Sequence, residues 1–141
     1  MESNPTIAMR QGEELDLIKL DEVLKKIIPS LSGYPSVTQY ASGASNLTYL
    51  ISYPNRELVL RRPPFGKKAI SAHSMSREYR VLTGLNGVYK SIPTMIFYTD
   101  DESLLGSEFY LMEKVEGVLI KKDFPRIWNF NDAERYKFCQ V

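Results

Sequence analysis

Apolar residues recur at spacings of three and four near the start of the chain, which is the pattern of an amphipathic helix. The residues of this stripe are Leu17, Leu20, Val23, Leu24, Ile27 and Ile28. Asp16 is suited to cap the first turn, and Pro29 ends the pattern. The sequence therefore predicts a helix over residues 17–28. The polar, aperiodic residues 1–14 before it are expected to form a loose arm.

The pattern changes to period two after the turn-rich residues 30–35. Large apolar or aromatic side chains occupy alternate positions from Leu47 to Tyr53, as in a half-buried strand. Further strands are predicted at residues 37–41, 57–61, 94–98 and 108–112, with a turn at 100–103. A second helix is expected over 74–85, and a third from Asn131, where Glu134 completes a capping-box pattern. The predicted class is α+β, with five antiparallel strands and a helix inserted after the third.

Composition and charge narrow the classes of partner. Hydrophobic residues make up 43% and charged residues 25% of the 141 residues, which is typical of a globular protein. The formal net charge of +1 does not favour nucleic acid or an acidic membrane surface. The single cysteine, Cys139, excludes an internal disulfide. No apolar run approaches the roughly 20 residues of a membrane span. With no secretory signal visible at the N-terminus, the cytoplasm is the expected location.

Small residues fill the segment between the first two predicted strands. They are Ala41, Ser42, Gly43, Ala44, Ser45 and Asn46. Without bulky side chains, the backbone N–H groups of such a loop can approach a phosphate closely. An ordinary hairpin loop has a similar composition, so both interpretations stay open for this segment alone.

Three further groups bear on nucleotide chemistry. Val59 and Arg61 are two apart on a strand and share a face, so Val59 can cover a base while Arg61 reaches its phosphates. Glu78 lies beside the apolar stripe of the second helix and could pair with Arg61. After Met112 the chain leaves its strand as an irregular connector whose backbone can bind a base edge. Taken one at a time, each group also has an ordinary interpretation. Arg61 could be a surface arginine at a strand end, Glu78 a solvated glutamate, and the connector a plain loop.

The order of these four groups is that of a protein-kinase N-lobe: loop, strand cation, helix glutamate and hinge. The text of residues 39–50, 58–64, 77–82 and 109–117 also resembles successive blocks of aminoglycoside-phosphotransferase-like proteins. The similar subgroup is the one found fused to acyl-CoA dehydrogenases in some eukaryotes. The resemblance covers most of residues 15–141 and implies a protein-kinase-like N-lobe with an added N-terminal helix.

The resemblance also implies the role of each residue. Ser42, Gly43, Ala44, Ser45 and Asn46 would cover the nucleotide phosphates. Arg61 would replace the kinase lysine, Glu78 would orient it, and Val59 would cover the adenine. Met112 would line the back of the adenine pocket, and the backbone of Glu113 and Val115 would bind the adenine edge. The expected ligand is ATP or another nucleoside triphosphate. With only Gly43, the loop should be stiffer than in protein kinases.

The family's catalytic segment has no counterpart in this chain. The only histidine, His73, is not followed by the aspartate and asparagine that accept the substrate proton and hold magnesium. The final helix, from Asn131, also lacks a C-terminal cap. The chain is therefore interpreted as an inactive N-terminal fragment of a phosphotransferase. Its predicted parts are an arm and helix over 1–35, an N-lobe over 36–112, and a hinge with a truncated C-lobe over 113–141.

Mg²⁺ is accordingly expected only in the complete parent. There the partner would be a small-molecule hydroxyl acceptor, and family analogy suggests a hydroxyacyl-CoA. The alternatives are a non-catalytic nucleotide- or partner-binding module, and the first lobe of a fusion with an acyl-CoA dehydrogenase.

Overall fold

Six strands and four helices make up the described part of the chain. The computed structural model describes residues 5–41, 46–64, 75–116 and 131–140, apart from the side chains of 138 and 139. The strands are β1 (Thr6–Ile7), β2 (Ser36–Tyr40), β3 (Leu47–Tyr53), β4 (Arg56–Arg62), β5 (Met95–Thr99) and β6 (Phe109–Glu113). The helices are α1 (Leu17–Ile27), α2 (Met75–Leu85), α3 (Glu102–Leu105) and α4 (Asp132–Cys139).

All described strands belong to one sheet with the order β1-β2-β3-β4-β6-β5. Each neighbouring pair is antiparallel, and α2 follows β4 in the chain. The predicted α+β class with a helix inserted after the third long strand is therefore confirmed. The strand ends differ from the predicted ones by one residue at most positions, because frayed ends carry little periodic signal.

Two short elements correct the sequence prediction. The expected loose arm contains β1, which pairs Thr6 with Tyr40 and Ile7 with Gln39, so the sheet has six strands instead of five. The turn expected at 100–103 is instead the start of α3, which Asp101 caps through its hydrogen bond from the Ser103 N–H. Two- and four-residue elements are too short to show a hydrophobic period, so the sequence pattern could not reveal them.

The helix caps follow the predicted chemistry. Asp16 accepts hydrogen bonds from the N–H groups of Ile18 and Lys19 at the start of α1. Asn131 and Glu134 form a complete capping box at the start of α4. The side chains of Asp16 and Asn131 thus accept hydrogen bonds from backbone N–H groups that the first helical turn leaves unpaired.

The main core lies between one face of the sheet and α1. Leu20 and Leu24 of α1 have no exposed surface. They belong to a cluster with alternate residues of β3 and β4, including Leu58 and Leu60, and the side chain of Leu105 in α3 packs against it. Alternation along the strands turns the intervening residues to the opposite face, where α2 contacts β5 and β6. No helix in the described ranges is long and apolar enough to cross a membrane.

Candidate functional site

The sheet face that carries α2 brings together four side chains of β4 and β6. Val59 pairs with Met112 and Arg61 with Tyr110 across the two antiparallel strands. Their neighbours Leu60 and Leu111 belong to the core on the α1 side, so these four lie on the other face. Val59 is buried and Met112 half-buried. This face therefore carries a small apolar surface next to a cation.

An ion pair connects this face to α2. The Arg61 Nη1 atom lies 2.7 Å from the Glu78 Oε1 atom, so the pairing predicted from the sequence is present. The side chains of Arg61 and Glu78 are 33% and 28% exposed, respectively. They are thus accessible from solvent while the ion pair holds them together. The Nε atom of Arg61 is buried and has no hydrogen-bond partner in the part of the chain that the structure describes. Holding the guanidinium here has a desolvation cost, which the ion pair offsets.

Tyr110 completes the cluster. Its hydroxyl donates a hydrogen bond of 2.8 Å to Glu78 Oε1, the same oxygen that contacts Arg61. Tyr110 has no exposed surface, and burial together with the bond to Glu78 raises the pKa of its phenol. No role for Tyr110 was predicted from the sequence. Its position two residues before Met112 on the same strand face was the available signal.

Aromatic rings seat α2 on the sheet beside this cluster. Tyr79 of α2 stacks on Tyr98 of β5 with 5.5 Å between ring centroids, and it lies 6.2 Å from the Tyr110 ring in a tilted arrangement. Such contacts stabilise a helix–sheet interface beyond simple area burial. Met75, at the start of α2, has no exposed surface. These residues fix the part of α2 that carries Glu78.

Arg62 faces away from Arg61, as strand alternation predicts. Only 2% of Arg62 is exposed, and it donates hydrogen bonds of 3.2 Å to the carbonyl oxygens of Leu105 and Pro63. Burial lowers the pKa of the guanidinium. Arg62 therefore ties the end of β4 to α3 on the core side of the sheet and has no direct access to the Arg61 face.

The predicted phosphate loop falls mostly outside the described residues, since Ser42, Gly43, Ala44 and Ser45 are not among them. The flanking residues are described. Asn46 is 6% exposed, and its Oδ1 atom has no hydrogen-bond partner within the described ranges. Ala41 donates to the Pro5 carbonyl oxygen and accepts a 3.0 Å hydrogen bond from Arg10. The N-terminal segment thus fixes the end of the strand that leads into the loop.

A network inside the N-terminal segment supports this contact. The buried Gln39 side chain accepts from the Arg10 N–H at 3.0 Å and donates to Glu13 at 2.6 Å. The Tyr49 hydroxyl donates to the Glu13 carbonyl oxygen at 2.6 Å. Sequence reasoning missed these residues because polar side chains in an aperiodic arm carry no pattern that identifies a partner.

The predicted hinge residues lie at the end of β6 and just beyond it. The Glu113 N–H donates to the Thr94 carbonyl oxygen at 2.9 Å, and its carboxylate forms an ion pair with Arg56. Because this N–H is already bonded within the sheet, the backbone group of Glu113 that could contact an adenine edge is its carbonyl oxygen. Val115 lies past the strand and is 56% exposed.

Lys114 lies between these two residues and contacts Glu57 at 2.7 Å and Glu116 at 3.1 Å. Its hydrogen bonds to the two carboxylates raise the pKa of the ammonium group. Glu57, Val59 and Arg61 are two residues apart on β4, so their side chains lie on the same face of the sheet. The ion pairs of Lys114 therefore border this face. In the described ranges, no three His, Cys, Asp or Glu side chains are grouped so that they could hold a metal ion.

Comparisons with known proteins place this arrangement in a family. The chain is 37% identical over 103 residues to acyl-CoA dehydrogenase family member 10 of Mus musculus, covering 72% of this chain and 10% of that protein. It is 32% identical over 120 residues to acyl-CoA dehydrogenase family member 11 of Gallus gallus, covering 82% and 15%. The chain thus spans only a small part of the curated relatives it matches.

A solved structure matches the fold. This crystal structure, from Ralstonia eutropha, is of a protein provisionally assigned as an aminoglycoside phosphotransferase. It is 30% identical, with a TM-score of 0.63, over 77% of this chain and 30% of its own chain. The predicted kinase-like fold is thereby confirmed. The sequence pattern of the phosphotransferase enzyme family (APH) matches residues 36–140, and the chain therefore belongs to this family.

Proposed function

We propose that this chain supplies the nucleotide-binding part of an ATP-dependent phosphotransferase that phosphorylates a small-molecule hydroxyl. The observation that carries the proposal is the 2.7 Å ion pair between Arg61 and Glu78 on the sheet face that also presents Val59 and Met112. A cation held by a carboxylate beside an apolar surface suits a ligand with a flat base at one end and phosphates at the other.

Each residue has a role in this proposal. Val59 and Met112 cover the base, and the Glu113 carbonyl oxygen and the Val115 backbone bind its edge. Arg61 binds phosphate oxygens through guanidinium N–H groups that Glu78 does not occupy, since arginine offers five donors in a planar fork. Glu78 keeps the fork oriented. Positioning and charge stabilisation are the main contributions that a protein makes to phosphoryl transfer.

The loop over residues 42–45 and the adjoining Asn46 would cover the phosphates from above. The proposed boundaries remain 1–35 for the arm and helix, 36–112 for the nucleotide-binding lobe and 113–141 for the hinge and the start of a second lobe. The proposed location is the cytoplasm. ATP chemistry in this family also involves Mg²⁺, but the described residues offer no grouped ligands for it, and no step is assigned to a metal held by them.

The phosphate acceptor is proposed from the relatives. The matched relatives are named acyl-CoA dehydrogenase family members, so an acyl-CoA carrying a hydroxyl group is the first acceptor to test. The family itself transfers phosphate to small molecules, and the fold alone does not select among them.

The test uses the complete gene product that contains this chain. MgATP binding is measured by calorimetry, and turnover by coupled ADP release with a panel of hydroxyl compounds that includes hydroxyacyl-CoAs. Arg61→Ala is expected to weaken MgATP binding about 10- to 100-fold, as loss of a charge-assisted hydrogen bond predicts. Arg80→Ala, which removes an exposed arginine of α2, is the matched control and should bind MgATP normally.

Two results separate the candidate functions. MgATP binding that depends on Arg61 but gives no turnover with any acceptor would favour a non-catalytic nucleotide-binding module. Equal binding by the wild type and Arg61→Ala would exclude Arg61 as the phosphate ligand and overturn the proposal.

A further inference from the structure

We propose that Tyr110 is a positioning residue for the nucleotide site, because its hydroxyl holds Glu78 in the orientation that keeps Arg61 in place. This inference rests on the proposed function only for its effect on ATP. The geometry is specific: Tyr110 and Arg61 approach the same Glu78 oxygen, at 2.8 Å and 2.7 Å. The three side chains come from β6, β4 and α2, so they join two strands to the helix. A side-chain hydrogen bond also connects Tyr110 with Arg61.

The three side chains differ in rigidity, and this difference decides which of them positions the others. Tyr110 lies in β6, between β4 and β5 in the sheet, and has no exposed surface. Glu78 and Arg61 are about one-third exposed and carry flexible side chains with several rotamers. A buried ring on a central strand cannot follow a moving carboxylate. Tyr110 therefore acts as the fixed point, and Glu78 and Arg61 adopt the arrangement that it favours.

The seating of α2 makes such a fixed point necessary. Met75 is the only fully buried hydrophobic residue of this helix in the described ranges, while Val81 and Leu85 are exposed. Met75, the stacked ring of Tyr79 and a hydrogen bond between Ser76 and Tyr98 join α2 to the sheet. The polar contacts of Glu78 add to them. A helix that buries little apolar surface depends more on each such contact.

The hydrogen bond from Tyr110 to Glu78 also has a purely structural explanation. A buried tyrosine hydroxyl needs some acceptor, and Glu78 could serve only that need. The two explanations agree that Tyr110→Phe lowers stability, because the ring stays and the hydrogen bond is lost. They disagree about Arg61, whose guanidinium is disturbed only if Tyr110 holds the Glu78–Arg61 pair in place.

Tyr98 provides the matched control. Its ring belongs to the same aromatic stack, and its hydroxyl donates to Glu108 at 3.0 Å. A side-chain hydrogen bond also joins it to Ser76 of α2. Tyr98→Phe thus removes a hydroxyl from the same interface between α2 and the sheet without touching Glu78.

The first measurement does not involve nucleotide. In the complete gene product, the guanidinium group of Arg61 is observed by nitrogen-15 NMR, with its signals assigned from their loss in Arg61→Lys. An ion-paired guanidinium rotates slowly and gives resolved signals. We expect these signals to broaden in Tyr110→Phe and to persist in Tyr98→Phe. Unchanged Arg61 signals in Tyr110→Phe would overturn the inference.

The second measurement is MgATP affinity by calorimetry on the same variants. Tyr110→Phe should weaken binding about 5- to 10-fold, within the range for a hydrogen bond to a charged group, and Tyr98→Phe should leave it unchanged. In a Glu78→Ala background, Tyr110→Phe should have a smaller effect than it has in the wild type. Equal affinities for the two single Phe variants would contradict the positioning role. If the wild type gives resolved Arg61 signals that broaden in Tyr110→Phe but binds no MgATP, the positioning role is supported and the proposed function is refuted.

Discussion

The guanidinium of Arg61 and the carboxylate of Glu78 meet at 2.7 Å, so a strand and a helix that are separated in sequence share one charged contact. Arg61 stands next to Arg62 in β4, yet the two have opposite surroundings. Arg61 faces α2, whereas Arg62 is buried toward α3 and bonded to the Leu105 carbonyl oxygen. Strand alternation alone separates a cation available to a ligand from one that serves the fold.

A double-mutant cycle on Arg61 and Glu78 tests whether they act together. Arg61→Ala removes the proposed phosphate ligand, and Glu78→Ala frees the arginine to leave its position, so both should weaken MgATP binding. The double variant should be less than additive, with a coupling energy of about 0.5–3 kcal/mol, as for residues in direct contact. Calorimetric titration with MgATP gives the four affinities. Strictly additive losses would mean that Glu78 does not act through Arg61.

Hydrophobic periodicity was sufficient to predict most of the fold. The α1 stripe and the alternation of residues 47–53 reflect burial on one face, which a sequence displays directly. β1 and α3 were missed because they are held by backbone pairing and by a single cap, neither of which needs a repeating pattern. The sheet has six strands instead of five because it includes β1.

The candidate site was predictable to a smaller extent. Arg61 and Glu78 could be paired because their order matched a known arrangement. Tyr110 could not be joined to Glu78, since a tyrosine in an apolar strand has the same pattern whether its hydroxyl meets a carboxylate, a carbonyl or water. The contact of Arg10 with the Ala41 carbonyl oxygen depends on how the arm folds back, and local sequence does not encode that distance.

The Glu13 carboxylate should matter for stability although Glu13 lies in the N-terminal arm. It accepts a 2.6 Å hydrogen bond from the Gln39 amide, and Gln39 has no exposed surface. Glu13→Ala would leave that amide buried and unpaired, with an expected loss of about 1–3 kcal/mol in the free energy of unfolding. Urea denaturation measures it. Glu22→Ala, at an exposed α1 position, is the control, and an equal loss there would refute the prediction.

Truncation of α1 residues should separate its two faces. Leu24 has no exposed surface and packs in the core cluster, so Leu24→Ala should lower the free energy of unfolding by about 2–5 kcal/mol. Ile18 is 77% exposed, and Ile18→Ala should change it by less than about 0.5 kcal/mol. Thermal and urea unfolding check both. Similar losses at the two positions would mean that α1 does not pack on the sheet as described.

Tyr49 should make the fold sensitive to alkaline pH. Burial raises the pKa of its phenol from 10.0 to about 12. The folded protein therefore keeps the Tyr49 proton at a pH where the unfolded chain has lost it. The stabilisation is complete below pH 10 and is lost as pH rises from 10 toward 12, amounting to roughly 2–3 kcal/mol. Urea denaturation between about pH 8 and 11.5 should show stability falling above the ordinary tyrosine pKa.

Tyr49→Phe should flatten this fall without abolishing it, because burial also raises the pKa values of Tyr53 and Tyr110. Tyr89→Phe alters an exposed tyrosine and should follow the wild-type curve, so a Tyr49→Phe curve parallel to it would exclude Tyr49 as a source of the alkaline loss.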